Sequence, residues 1–397
     1  MEYIFSDKLS NLKASAIREI LKVTNDPSVI SFAAGSPAPN AFPVEDIKRF
    51  LCDIMDNEPI TALQYNITEG YPPLREAVKK RMQTQHNYVP EKDDIVITTG
   101  GQQSVELACK IFLNEGDIAV CESPSFVGSL NSAKSYNAKL VGIELDEEGI
   151  RADILEKTLE ENRNVKLMYL IPNFHNPTGK CMSLERRKKV YELAQRYNVL
   201  IIEDNPYGDL RFDGEDIPTI KSMDTDGRVI YCSSFSKIVA PGLRVGFTSA
   251  APEITAKMVA CKQASDVHTT MLSQMICARF LTECDMDAHL TRLRAIYRQK
   301  YQLMADCIEK EFSSKVTFTK PQGGLFIWAT VPEGADVLEF CNRAIAEKVA
   351  VVPGNAFMTD DTLPTRCFRM NFSTPTDDQI REGCAILGRI SKEMFGE

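Results

Sequence analysis

Apolar and polar positions follow two different rhythms along this chain. Short apolar runs recur at Ile95–Thr98, Ile118–Cys121, Leu140–Glu144, Leu167–Ile171, Val199–Glu203, Val229–Cys232 and Gly246–Thr248, each with the length of a buried strand. Several of the gaps carry apolar residues three and four apart, notably Gln103–Leu113 and Leu184–Tyr197, and these predict helices. Parallel strands need long crossover connections, so this alternation predicts an α/β domain with a mainly parallel central sheet sandwiched by helices. Near the start, Ile17, Ile20 and Leu21 interleave with Arg18, Glu19 and Lys22, which predicts a helix over Ala14–Val23. A Pro- and Gly-rich loop follows from Ala33 to Pro43. Beyond about residue 289 the rhythm changes. A long charged helix, His289–Glu311, precedes strand-like Val316–Thr319 and Gly324–Thr330 and a final helix from Thr376, the pattern of a smaller α+β unit.

Composition narrows the picture. A chain of 397 residues exceeds what one hydrophobic core usually supports, so two packed subdomains are expected. With 44% apolar and 25% charged residues it reads as an ordinary soluble protein. No apolar run approaches the ~18 residues that span a bilayer, so no membrane partner is expected. The opening Met1-Glu-Tyr-Ile-Phe lacks the basic start and apolar core of a signal peptide. Twelve scattered cysteines without a CxxC pair, and four dispersed histidines, predict no metal site and a reducing, cytoplasmic location. A net charge of −9 argues against a nucleic-acid partner, while a local basic pocket for an anion remains compatible with it.

Candidate chemistry is concentrated at strand exits, where open parallel sheets bind their ligands. The strand Val229–Cys232 runs into Ser233-Ser-Phe-Ser-Lys237, with Arg244 seven residues on in Pro241-Gly-Leu-Arg-Val-Gly-Phe. A lysine amine beside hydroxyls and a guanidinium suits a phosphorylated aldehyde cofactor: the amine bonds the aldehyde, and Ser234, Ser236 and Arg244 take the phosphate. Pyridoxal 5′-phosphate fits that description. The strand Val199–Glu203 delivers Asp204 and Tyr207, and Leu167–Ile171 delivers Asn176. A carboxylate that keeps a pyridine nitrogen protonated, with an amide and a phenol for the ring's phenolic oxygen, meets the needs of that ring. Asp204 as a helix cap and Asn176 as a turn starter before Pro177 are the structural alternatives. Thr98-Thr-Gly-Gly-Gln-Gln follows a strand and opens a helix, so the amides of Gly101, Gln102 and Gln103 form a candidate phosphate cradle. Phe126, after the next strand, is a candidate stacking platform. Arg369 sits in Cys367-Phe-Arg-Met-Asn-Phe, where an arginine on an apolar strand needs an anion, either an internal carboxylate or a substrate's.

Taken in order, these motifs resemble the fold-type I aminotransferases of the aspartate aminotransferase superfamily, over essentially the whole chain. Ser15-Ala-Ile-Arg-Glu-Ile-Leu-Lys, Ile30-Ser-Phe-Ala-Ala-Gly-Ser-Pro-Ala-Pro, Gln64-Tyr-Asn-Ile-Thr-Glu-Gly-Tyr, Lys262-Gln-Ala-Ser-Asp-Val-His-Thr and Pro321-Gln-Gly-Gly-Leu-Phe-Ile-Trp bring it nearest the 2-aminoadipate/kynurenine branch. The resemblance implies that Lys237 holds the cofactor covalently and moves the substrate's α-proton. It gives Asp204 to the pyridine nitrogen, Asn176 and Tyr207 to the phenolic oxygen, Phe126 to the ring face and Arg369 to the substrate's α-carboxylate. It further implies a homodimer in which Tyr65 reaches the neighbouring subunit's phosphate. Arg18, Gly35 and Ser36 would then cover the substrate side chain, with Arg18 meeting a distal carboxylate. The implied division is 1–43 and 289–397 in a small domain and 44–288 in a large cofactor-binding domain. The implied reaction is ping-pong amino transfer to a 2-oxo acid such as 2-oxoglutarate. Donors would be 2-aminoadipate- or glutamate-like, or a broad aromatic and branched set. Two departures stand out: Gly101 occupies a position where many relatives have serine, and Ser36 one that is often leucine. Other pyridoxal-phosphate reactions on the same fold, β-lysis or decarboxylation, share the core motifs. The effector domain of a transcription regulator is a further alternative, disfavoured by the negative charge and by an N-terminal helix that starts near residue 14.

Overall fold

The computed structural model describes residues 26–86 and 92–397, together with Tyr3, Ser6, Lys8 and Leu12. The helix expected over Ala14–Val23, and Arg18 with it, lies outside the described residues.

Period-two alternation builds the central layer. In the strand Ile118–Ser123, Ile118 and Val120 pack on one side with the helices Ala152–Glu161 and Leu184–Tyr197. Ala119 and Cys121 pack on the other with Gly101–Phe112 and Val127–Lys134. Both faces are therefore apolar, as expected of a parallel sheet covered by crossover helices. Eight strands make this sheet, in the order Asp94–Thr98, Gly246–Ala250, Val229–Ser234, Leu200–Asp204, Val165–Leu170, Ile118–Ser123, Lys139–Asp146 and Gly149–Ile150. Pairing is parallel from Val229–Ser234 to Lys139–Asp146. Gly246–Ala250 runs antiparallel to both its neighbours, and Gly149–Ile150 closes the other edge antiparallel. All seven expected strands are present: five are extended by one or two residues, while the one expected over Leu167–Ile171 runs Val165–Leu170 and the one expected over Val199–Glu203 runs Leu200–Asp204.

A second, antiparallel sheet carries the C-terminal chemistry, in the order Thr317–Phe318, Phe326–Thr330, Cys367–Asn371, Val352–Pro353. Ile30–Ser31 pairs in parallel with Val349–Ala350, which ties the segment before residue 43 to the C-terminal part of the chain. The long helix runs Met286–Glu311, with Asp285 capping it by accepting from the Ala288 amide. The expected division at 289 thus falls in its first turn. The last helix, Asp377–Phe395, starts on a capping box between Thr376 and Gln379. Among the described residues no helix is long and apolar enough to cross a membrane.

One close approach positions the sheet's functional edge. A Cβ on Gly246 would lie 2.6 Å from the Gly100 carbonyl carbon, 2.7 Å from the Gly101 nitrogen and 2.9 Å from the Ser233 oxygen, all backbone atoms that cannot rotate aside. Gly246→Ala is expected to destabilise the fold by roughly 1–3 kcal/mol, the usual cost of overpacking. Chemical denaturation measures this, and an unchanged midpoint would show that the turn yields.

Candidate active site

Five strands of one sense, Asp94–Thr98, Ile118–Ser123, Val165–Leu170, Leu200–Asp204 and Val229–Ser234, end along the same edge. Their exits surround a cavity of about 420 Å³. It is lined by Gly101, Gln102, Phe126, Asn176, Asp204, Tyr207, Ser234, Ser236, Lys237 and Arg244, and from the other side by Gly35, Phe326 and Arg369. A larger cleft of about 670 Å³ beside Lys180, Cys181 and Lys320 has no comparable convergence of acid, amine and guanidinium groups.

Lys237 Nζ donates to the Gly35 carbonyl at 2.8 Å and lies 5.9 Å from the centre of the Tyr207 ring. Withdrawal from water pulls its amine down to about 8, and the charges of Arg369 and Arg244 act in the same direction. Asp204 is the last residue of its strand and is buried. Burial raises its carboxyl to about 6; the Tyr169 phenol, donating to Oδ2 at 2.6 Å, opposes the rise, and the Glu122 charge adds to it. Arg369 is 3% exposed, and its guanidinium lies 4.3 Å from the Phe326 ring centre and 4.8 Å from that of Phe357. It donates to Asn176 Oδ1 and to the Ala33 carbonyl, each at 2.7 Å, while its Nε has no partner among the described residues. Burial brings it down to about 10, so it is charged at neutral pH.

An anion cradle lies at one end. The Ser234 and Ser236 hydroxyls are 2.7 Å apart, and Gly101 opens the 12-residue helix Gly101–Phe112 beside them. Arg244, in the left-handed region at φ 53°, reaches back to the Thr99 carbonyl at 3.2 Å. A Cβ on Gly100 would overlap the Arg244 guanidinium, so glycine there makes room for it. Hydroxyls, helix-start amides and a guanidinium suit a phosphate dianion.

Several expected residues lie elsewhere. Gln103 does not line the cavity: its side chain accepts from the Thr99 amide and from Lys262 Nζ, and its amide donates to the Gly100 carbonyl. Each helical residue turns about 100°, so two residues past Gly101 the chain faces away. Ser36 is exposed, and its carbonyl accepts from the Ser373 and Thr374 hydroxyls. Tyr65 is 79% exposed and lies edge-on to His268, outside the cavity of its own chain. Tyr169, Phe326 and Phe357 are not among the expected residues: the first two are aromatics on apolar strands and the third lies in the short turn of helix Gly354–Phe357, and all three read as core.

Comparison with known proteins agrees with this geometry. The model of the aminotransferase class I and II family matches residues 27–387. The chain belongs to that family. It is 40% identical to aromatic-amino-acid aminotransferase 1 of Thermococcus litoralis, over 99% of this chain and 95% of that one. It is 36% identical to the 2-aminoadipate transaminase of Thermus thermophilus, over 98% and 97%. It superposes on the Pyrococcus horikoshii kynurenine aminotransferase, crystallised with PMP, with a TM-score of 0.95, 38% identity and coverage of 99% and 98%. The protein is thus an aminotransferase dependent on pyridoxal 5′-phosphate. The cavity fits that cofactor: a lysine, an anion cradle, and a buried carboxylate with one oxygen not engaged by the described residues.

Asp204 yields a pH test on cofactor-free protein. Its folded-state value lies above the ordinary 3.8, so ionising it imposes a stability penalty that is absent at low pH, grows as the pH rises and is complete once the pH is well above about 6. Asp204→Asn removes that cost. The stability advantage of the variant should widen by about 2 kcal/mol between pH 4.5 and 7.5, measured by denaturant titration. A pH-independent difference would contradict the assignment.

Proposed function

We propose that this aminotransferase takes the amino group of an L-amino acid and passes it to a 2-oxo acid, 2-oxoglutarate foremost, in two successive half-reactions. The donors are 2-aminoadipate- or glutamate-like, with aromatic and branched amino acids also accepted. The observation that carries the reading is Arg369, a buried guanidinium that meets only neutral groups among the described residues. Such a charge wants a carboxylate, and an α-carboxylate is common to every donor.

When bound, the cofactor supplies an aldehyde that condenses with amines and a ring that withdraws electrons from the substrate's α-carbon. Lys237 Nζ, kept partly unprotonated by its dry surroundings, removes the proton from that carbon. Asp204 would meet the pyridine nitrogen, Asn176 and Tyr207 the phenolic oxygen, and Phe126 the ring face. Ser234, Ser236, Arg244 and the Gly101–Gln102 turn hold the phosphate. Arg369 orients the donor between Phe326 and the loop at Gly35. The names of the similar proteins, aromatic-amino-acid, 2-aminoadipate and kynurenine aminotransferases, support the donor range. So do the apolar cavity walls at Val127, Ile171, Pro206 and Phe326.

The working unit is proposed to be a homodimer in which Tyr65 reaches the partner's phosphate. Ile60, Leu63, Tyr65 and Ile67, 46–79% exposed within eight residues, support a covered face there. All 12 cysteines are free, which suits a cytoplasmic setting.

Arg369→Gln is expected to lower kcat/KM roughly 30- to 1000-fold for every donor, the range for removing one partner of a buried charge pair. Arg18→Gln should lower it for 2-aminoadipate and glutamate only. Steady-state rates over a donor panel against 2-oxoglutarate decide both. An unaffected Arg369→Gln enzyme would remove the carboxylate role, and equal loss across donors would remove the distal role of Arg18.

A further inference from the structure

Tyr169 and Asp204 sit on neighbouring strands and share one face of the sheet. Tyr169 pairs in register with Ile202, two residues before Asp204, and Tyr169, Ile202 and Cys232 belong to one apolar cluster. The ring is fixed in that cluster, with Cys121 opposite it on the next strand. Its hydroxyl donates to Asp204 Oδ2 at 2.6 Å, within the range of strong bonds to a carboxylate. Oδ1 takes no hydrogen bond from the described residues, and Asp204 lines the cavity.

We propose that Tyr169 is a positioning residue for the cofactor's pyridine nitrogen: its phenol holds one oxygen of Asp204 so that the other is presented to that nitrogen. This rests on the reading that Asp204 meets the nitrogen, and adds the group that aims it. A buried carboxylate on a strand end has rotational freedom about two side-chain bonds, and a phenol anchored in an apolar layer removes it. A phenol also adds no positive charge. A lysine or arginine in its place would neutralise Asp204 and compete with a protonated ring for it. Among the described residues, the titratable groups that interact with Asp204 are Tyr169, Glu122 on Ile118–Ser123, Cys232 on Val229–Ser234, and Tyr207. None of these is a cation, and Tyr169 is the one that bonds Asp204.

The test is a double-mutant cycle on Tyr169→Phe and Asp204→Asn, read by cofactor affinity and by spectrum rather than by turnover. Cofactor-free proteins are titrated with pyridoxal 5′-phosphate, and the visible absorbance of the loaded proteins is followed against pH. Tyr169→Phe should weaken affinity about tenfold. It should also move the absorbance transition to higher pH, because a ring with less positive charge lets the nitrogen of Lys237 keep its proton longer. In the Asp204→Asn background the same substitution should change neither quantity. If Asp204→Asn itself leaves affinity and spectrum unaltered, Asp204 does not meet the nitrogen and the inference falls with that reading. If Asp204→Asn alters both and Tyr169→Phe neither, the inference alone is overturned. Equal effects of Tyr169→Phe in both backgrounds also overturn it, since they reduce Tyr169 to core packing.

Discussion

The cavity keeps its own charges apart. Lys237 gives its hydrogen bond to a carbonyl, Arg369 gives its bonds to an amide oxygen and a carbonyl, and Asp204 receives from a phenol. A salt bridge between Asp204 and either cation would satisfy both groups and leave nothing for a ligand. Neutral partners hold the side chains in place while leaving their charges unspent, which is unfavourable in a dry site until an anion and a cation arrive. The raised carboxyl of Asp204 and the lowered amine of Lys237 are two signs of that one arrangement.

The fold provides the separation. Each charged group stands on a different element: Asp204 ends one strand, Lys237 follows another, and Arg369 lies on a strand of the second sheet. Backbone hydrogen bonding fixes the spacing of these elements, so the side chains are not free to collapse on one another. The loop at Ala33–Gly35 completes the cavity by offering carbonyls to both Arg369 and Lys237. At the opposite end the turn at Gly100–Gly101 packs against Gly246 and Arg244 so closely that a side chain at Gly246 would displace backbone and one at Gly100 the guanidinium. The anion cradle and the packing of the sheet therefore share the same few atoms.

Much of this is legible in the chain. The seven strands are readable because buried parallel strands are short apolar runs bounded by turns, and their exits point to Asp204, Asn176 and Lys237. Arg369 is readable because an arginine in an apolar strand must have an anion or an acceptor. Tyr169 is not, since its phenol matters only through the register that sets it beside Asp204, which no local pattern encodes. Phe326 and Phe357 flank Arg369 from distant parts of the sequence and read as core for the same reason. Gln103 was expected to join the cradle with Gly101 and Gln102, but helical rotation turns it toward Lys262 and Asp266. Arg18, proposed to meet the donor's distal group, lies outside the described residues.

The central claim is that Lys237 holds the cofactor's aldehyde carbon. Borohydride treatment of the loaded protein, followed by proteolysis and mass mapping, tests it directly. The account predicts loss of the visible absorbance and one phosphopyridoxyl group on the peptide containing Lys237, with no reducible adduct in Lys237→Ala. A stable adduct in that variant, or label on another lysine in the unaltered chain, would contradict it.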